Sequence, residues 1–103
     1  MRYQFIYNSK ESRYAKLETY YVYDTRERNY VYDVYNNVCC VALDRDNKII
    51  YFYGMHVDYH WILNKFFYAI ILEFLNLSDA FNVLDYTIDE DCVGGKIYYN
   101  NNK

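Results

Sequence analysis

The chain has 103 residues, 53 % of them hydrophobic and 24 % charged, with a formal net charge of −3. That length fits one domain spanning 1–103, and the apolar fraction is enough for one packed core, so a second domain and wholesale disorder are both excluded. The charge excludes a strongly basic nucleic-acid binder and an extreme polyanion; the absence of proline, with only three glycines, excludes collagen-like or Pro-rich linker behaviour.

Tyr3 to Tyr7 alternates, with Tyr3, Phe5 and Tyr7 on one face and Gln4 and Ile6 on the other, so it predicts a short strand. Asn8 to Lys16 is polar and turn-prone, with room for one helical turn. Leu17 to Asp24 is β-rich, placing Leu17, Thr19, Tyr21 and Tyr23 on one face and Tyr20 and Val22 on the other. Thr25 to Asn29 is a charged connector, and Tyr30 to Tyr35 is the second arm of a hairpin. Asn36-Asn37 supplies a turn, because Asn tolerates positive φ. Val38 to Leu43 is a continuous apolar run, as expected of a central strand covered on both faces. Asp44 to Asn47 is a turn signal, and Lys48 to Tyr53 follows as a strand that Gly54 stops.

From Asp58 the period changes. Asp58 is the expected N-cap of a helix running to about Leu77, with Tyr59, Leu63, Phe66, Ile70, Phe74 and Leu77 lining one stripe against the sheet. Trp61, Tyr68 and Leu75, flanked by Leu72, form a second apolar line. A helix apolar nearly all round needs cover on more than one side. Lys65 and Glu73 argue against a membrane span, since each charge near mid-bilayer costs about 2.5–3.5 kcal/mol. Ser78 predicts the cap of a short second helix with Phe81, Leu84 and Ile88 on its apolar side. Asp89-Glu90-Asp91 is an acidic turn, and Lys96 to Tyr99 after Gly94-Gly95 is an edge-strand candidate. The expected fold is therefore α+β: an antiparallel meander of about four to five strands packed on one long helix, with a short second helix and a C-terminal edge strand.

Composition adds a second line of argument. Tyrosine accounts for 16 residues, nine of them between Tyr3 and Tyr35, and asparagine for 11. Together with Ile and Lys, and without Pro, this is the mark of an AT-rich coding sequence, as in AT-rich bacteria, their viruses or archaeal ones, and other mobile elements. Met1-Arg2-Tyr3-Gln4 does not open a secretory signal, and three cysteines with Cys39 and Cys40 adjacent read as reduced thiols, so the expected compartment is the cytoplasm, that of a host cell if the chain is viral.

Chemical constellations are sparse. His56 and His60 lie four apart around Asp58, but no third ligand has diagnostic spacing, so no metal and no cofactor is predicted. Asp44/Asp46 and the Asp89–Asp91 run read as turn and solvated loop, not as paired catalytic carboxylates. Phosphate-cradling, nucleophile-elbow and zinc-protease motifs are missing, so no catalytic residue is assigned and the chain is read as a non-enzyme.

What remains is binding. Tyr and Trp give large contact areas with few torsions to freeze, so the predicted partner-contact residues are Trp61, Tyr68, Leu72, Leu75, Tyr20, Tyr30 and Tyr32, with Asp89, Glu90 and Asp91 as acidic contacts. The expected function is a small protein-binding accessory protein and homodimer. In its sharpest form it inhibits a basic, nucleic-acid-handling host complex, as an anti-CRISPR protein does. The alternative is a Tyr-rich single-strand nucleic-acid-binding or regulatory protein, its bases stacked on the rings.

Overall fold

The computed structural model of the chain describes residues 1–33, 36–55 and 61–89, with residues 61–66 described by their backbone alone. Eight elements follow in chain order: β1 (Tyr3–Tyr7), α1 (Ser9–Ala15), β2 (Glu18–Asp24), β3 (Asn29–Tyr30), β4 (Cys40–Asp44), β5 (Ile49–Tyr53), α2 (Trp61–Asn76) and β6 (Thr87–Ile88). The fold is α+β: among the described residues, a mixed sheet of six strands with two helices. The sheet order is β1-β2-β4-β5-β6, with β3 also on β2.

The alternating segments became strands as expected, because period-two patterning is local and strong. Both hairpin turns have the same chemistry. Asp24 opens one, its Oδ1 accepting from the N–H groups of Arg26 and Glu27, and Arg28 closes it at φ 56°. Asp44 opens the other, its Oδ1 accepting from Asn47 N–H, and Lys48 closes it at φ 57°. An aspartate that satisfies the next amides, followed by one left-handed residue, reverses the chain without glycine. Gly54 ends β5 at φ 71°, where a Cβ would meet Cys39 Cα at 3.2 Å and Val38 O at 3.3 Å, so any side chain there is strained.

Four expectations are corrected. The sheet is not a purely antiparallel meander. β6 pairs parallel to β5, Ile49 with Thr87 and Ile50 with Ile88, because α2 carries the chain back before it rejoins the sheet. Of the strand expected over Tyr30 to Tyr35, the described residues show Asn29–Tyr30, with residues 34 and 35 outside them, and β3 and β4 do not lie side by side. Both pair with β2, β3 opposite Tyr23 and Asp24 and β4 opposite Glu18 to Tyr21. Val22 is the switch point. Its C=O accepts from Val31 N–H at 2.9 Å while its N–H donates to Cys39 O at 3.4 Å. Between them lies an excursion in which, among the described residues, Tyr32 bridges Val38, Asp33 Oδ1 accepts from Asn37 N–H at 2.9 Å and Asn36 takes φ 64°.

The third correction concerns α1. The polar segment after β1 is a seven-residue helix, capped by Asn8 Oδ1 accepting from Glu11 N–H and stopped at Lys16 with φ 60°. The fourth is the second helix, which does not form. After one turn, Asn82 takes φ 60°, Asn82 N–H donates to Asp79 O and Val83 N–H donates to Ser78 O at 2.8 Å. This is a Schellman termination, and it turns Val83 into the core while leaving Leu84 72 % exposed. The Asp58 cap, Tyr59 and the Lys96–Tyr99 strand lie outside the described residues.

The core sits between α2 and one sheet face. Phe67, Ile70, Ile71 and Phe74 of α2 are buried against Val22, Val41, Leu43, Ile50 and Phe52. The buried line therefore runs through 67, 70, 71 and 74, a spacing of three and four that includes Phe67 and Ile71, both off the stripe expected from the sequence. Phe74 is the hub, with ring centroids 5.1 Å from Phe5, 6.0 Å from Phe52 and 4.8 Å from Phe81. Burying such a ring fully contributes about 1.5–3 kcal/mol.

Candidate functional site: a tyrosine-lined sheet face

The strand registers sort the tyrosines between the two faces. Phe5 pairs with Val22, Tyr7 with Tyr20, Tyr20 with Val41, and Val41 with Phe52, so these residues share the α2 side. Their neighbours in sequence point the other way, because side chains alternate along a strand. That second face carries Ile6, Thr19, Tyr21, Tyr23, Cys40, Ala42, Tyr51 and Tyr53, joined by Tyr30 from β3.

One end of this face is closed by α1. Ser12 is buried, its Oγ accepting from Thr19 N–H at 2.8 Å, and Thr19 and Ala42 beneath are almost fully buried. The rest is a run of rings. Tyr30 stands edge-on to Tyr21 and Tyr23, at centroid distances of 5.8 and 5.4 Å. Tyr51 and Tyr53 are stacked, with ring centroids 5.8 Å apart and planes 10° from parallel. Tyr21, Tyr23 and Tyr51 are half-buried, whereas Tyr30 and Tyr53 are 38 % and 41 % exposed. Burial, with the Glu11 carboxylate second, raises the Tyr21 phenol above its usual value. The face thus offers phenols whose apolar bodies are in partial contact with water and whose tips donate or accept hydrogen bonds.

The residues anticipated as contacts fall into separate places. Tyr30 lies on this face, and Tyr32 is exposed in the neighbouring excursion. Tyr20 lies on the opposite side, packed edge-on to Phe81 at 5.0 Å with its hydroxyl bonded to Glu18. Leu75 packs on the core, and Tyr68 and Leu72 are half-buried on α2. The side chain of Trp61, with Glu90, Asp91, His56 and His60, lies outside the described residues. Asp89 is half-buried and its N–H donates to Ile50 O. Tyr21, Tyr23, Tyr51 and Tyr53 were not singled out from the sequence as contacts. Their alternation in Glu18–Asp24 and Ile49–Tyr53 was the signal, but it does not say which face a helix will cover.

Three of the described cations are committed to carboxylates. Arg2 donates from Nε and Nη2 to both oxygens of Asp24, at 2.9 and 2.7 Å. Arg45 donates to both oxygens of Glu18 at 3.0 Å, and its guanidinium stacks 5.6 Å from the Tyr86 ring centre. Lys48 Nζ pairs with Asp85 at 2.6 Å. Among the described residues, no group of three or more His, Cys, Asp or Glu is placed to hold a metal ion, and no helix is long and apolar enough to cross a membrane. An open groove of about 420 Å³ lies beside α1, lined by Tyr7, Arg13, Lys16 and Glu18 among others, and the Ser12 hydroxyl on its wall is already engaged with Thr19.

No protein-family model matches the chain, and neither a curated protein nor a solved structure is detectably similar to it.

Proposed function

We propose that the chain is a non-enzymatic binding protein that docks a protein partner on its tyrosine-lined sheet face. The observation that carries this reading is the grouping of Tyr21, Tyr23, Tyr30, Tyr51 and Tyr53 on the face that α2 leaves uncovered, with Tyr30 and Tyr53 more than a third exposed. A folded chain gains little by holding such rings half in water, whereas an interface gains their full area at the cost of few torsions. The net charge of −3 suits a basic partner. The sharper form is inhibition of a host nucleic-acid-handling complex in the manner of an anti-CRISPR protein, and it rests on that charge and on the AT-rich composition.

A second reading has one observation in its favour. The parallel Tyr51–Tyr53 pair is a ready platform for stacked bases of a single strand. Affinity capture from nuclease-treated host lysate, run with the native chain and with Tyr51→Ser/Tyr53→Ser, separates the two. The protein reading expects one protein held by the native chain and lost from the double variant. Capture that survives the double change places the contact elsewhere. Capture that disappears with the nuclease, and an affinity for nucleic acid that falls steeply with salt, favours the second reading.

A further inference from the structure

β1 is an outer strand of the sheet among the described residues, and its outward edge is only partly closed. Thr25 N–H donates to Arg2 O at 3.0 Å and Asn8 N–H to Thr19 O at 2.9 Å, so the ladder to β2 runs through the even-numbered residues of this segment. The N–H and C=O groups of Tyr3, Phe5 and Tyr7 therefore point away from β2. Glu73 Oε1 accepts from Tyr3 N–H at 2.9 Å. Among the described residues, no hydrogen bond engages the outward N–H of Phe5 or Tyr7.

Single-copy proteins blunt such edges with lysine, proline, a bulge or brevity. β3 and β6 are short, at two residues each. β1 is five residues of YQFIY, with no charge and no proline, and Ile6 and Tyr7 are 39 % and 54 % exposed. An uncharged strand meets its own copy without the like-charge repulsion that a charged edge imposes on a two-fold pairing, and Phe5 and Tyr7 carry the spaced donors and acceptors that two antiparallel copies satisfy reciprocally.

We propose that β1 pairs antiparallel with β1 of a second copy, about a two-fold axis at Ile6. The register follows from what is already occupied. An axis at Phe5 would need the Tyr3 N–H that Glu73 holds. An axis at Tyr7 would need Ser9, which begins α1. An axis at Ile6 uses only Phe5 and Tyr7, which exchange both backbone hydrogen bonds with Tyr7 and Phe5 of the second copy. Ile6 then faces Ile6 of the second copy in a non-hydrogen-bonded pair, about 4.5 Å between Cα atoms. The axis is perpendicular to the sheet, so both α2 helices fall on one side and the two tyrosine faces continue each other on the opposite side.

Sedimentation of the pure protein over a concentration series, with amide exchange followed at each concentration, tests this pairing. The readout is the mass of the protein alone, so it is independent of any partner on the tyrosine face. The expected result is a doubling of mass with concentration, and slowing of Phe5 and Tyr7 exchange in step with it, while Gln4 and Ile6 amides, already in the ladder to β2, are slow throughout. Ile6→Lys and Ile6→Glu each put like charges across the axis and should weaken the dimer at least about tenfold. An equimolar mixture of the two should restore it as a heterodimer. A native chain that stays monomeric to millimolar concentration overturns the proposal. So does a dimer in which Phe5 and Tyr7 exchange at a rate independent of concentration, or one indifferent to both charges.

Discussion

Glu73 on α2 accepts hydrogen bonds from the backbone N–H of Tyr3 at 2.9 Å and of Arg2 at 3.3 Å, fastening the helix to the first strand across most of the chain. The same carboxylate that argued from sequence against a membrane span thus has a structural use: it ends the exposed edge of β1. Glu73→Ala leaves the Tyr3 donor, part of a residue only 4 % exposed, without its acceptor. The expected cost is about 1–3 kcal/mol in urea denaturation, with faster exchange of the Tyr3 amide.

Asp24 is nearly buried at the same end of the strand pair, opposite Tyr3, and its position predicts acid behaviour. The Arg2 guanidinium, with the Arg26 and Glu27 amides, holds its carboxyl below the ordinary carboxylate range. Glu18 is held low in the same way, by Arg45 first and by the Tyr20 hydroxyl. A folded value below the unfolded one stabilises the protein fully above the unfolded value, about pH 4, and the stabilisation drains away as pH falls toward the folded value. Urea midpoints measured from pH 7 to pH 2 should drop below about pH 4 in the native chain. Asp24→Asn should be less stable at pH 7 and should show a shallower acid limb.

The cysteines make a chemical prediction. Burial pushes the Cys39 thiol up to about 12, with Asp33 adding to it, and pushes Cys40 up to about 11. Cys39 Sγ also lies 2.8 Å from Gly54 O, to which the thiol donates. Thiolate is the reactive form, so both residues should resist iodoacetamide at pH 8 in the folded protein and react on unfolding. Peptide mapping by mass spectrometry reads this directly. Rapid labelling of Cys39 in native buffer would contradict its burial just before β4.

Much of the fold was legible in the sequence. The strands at Tyr3–Tyr7, Glu18–Asp24, Cys40–Asp44 and Ile49–Tyr53 fall where alternation and turn residues put them. The Asn36 turn rests on the residue type that tolerates it. The end-to-end arrangement of β3 and β4 was not legible, because it depends on Val22 changing partner between Val31 and Cys39, a long-range choice without a local pattern. The helix after Ser78 was misread for a different reason: its apolar spacing is helical, but Asn82 takes a left-handed conformation after one turn. The candidate site was half legible. The tyrosine-rich strands were plain, but which face α2 would cover was decided by Phe5, Val22, Val41 and Phe52 packing on Phe74 and its neighbours. That choice packed Tyr20 against the core and put Tyr21 and Tyr23 on the open side.

Tyrosine nitration footprinting of the protein alone and in its captured complex tests the central claim most directly. Tyr30 and Tyr53 should react readily in the free protein and be protected in the complex, together with Tyr23 and Tyr51, while Tyr7 on the α2 side keeps its reactivity. Unchanged reactivity of Tyr30 and Tyr53 in the complex, with protection appearing on the α2 side instead, would contradict it.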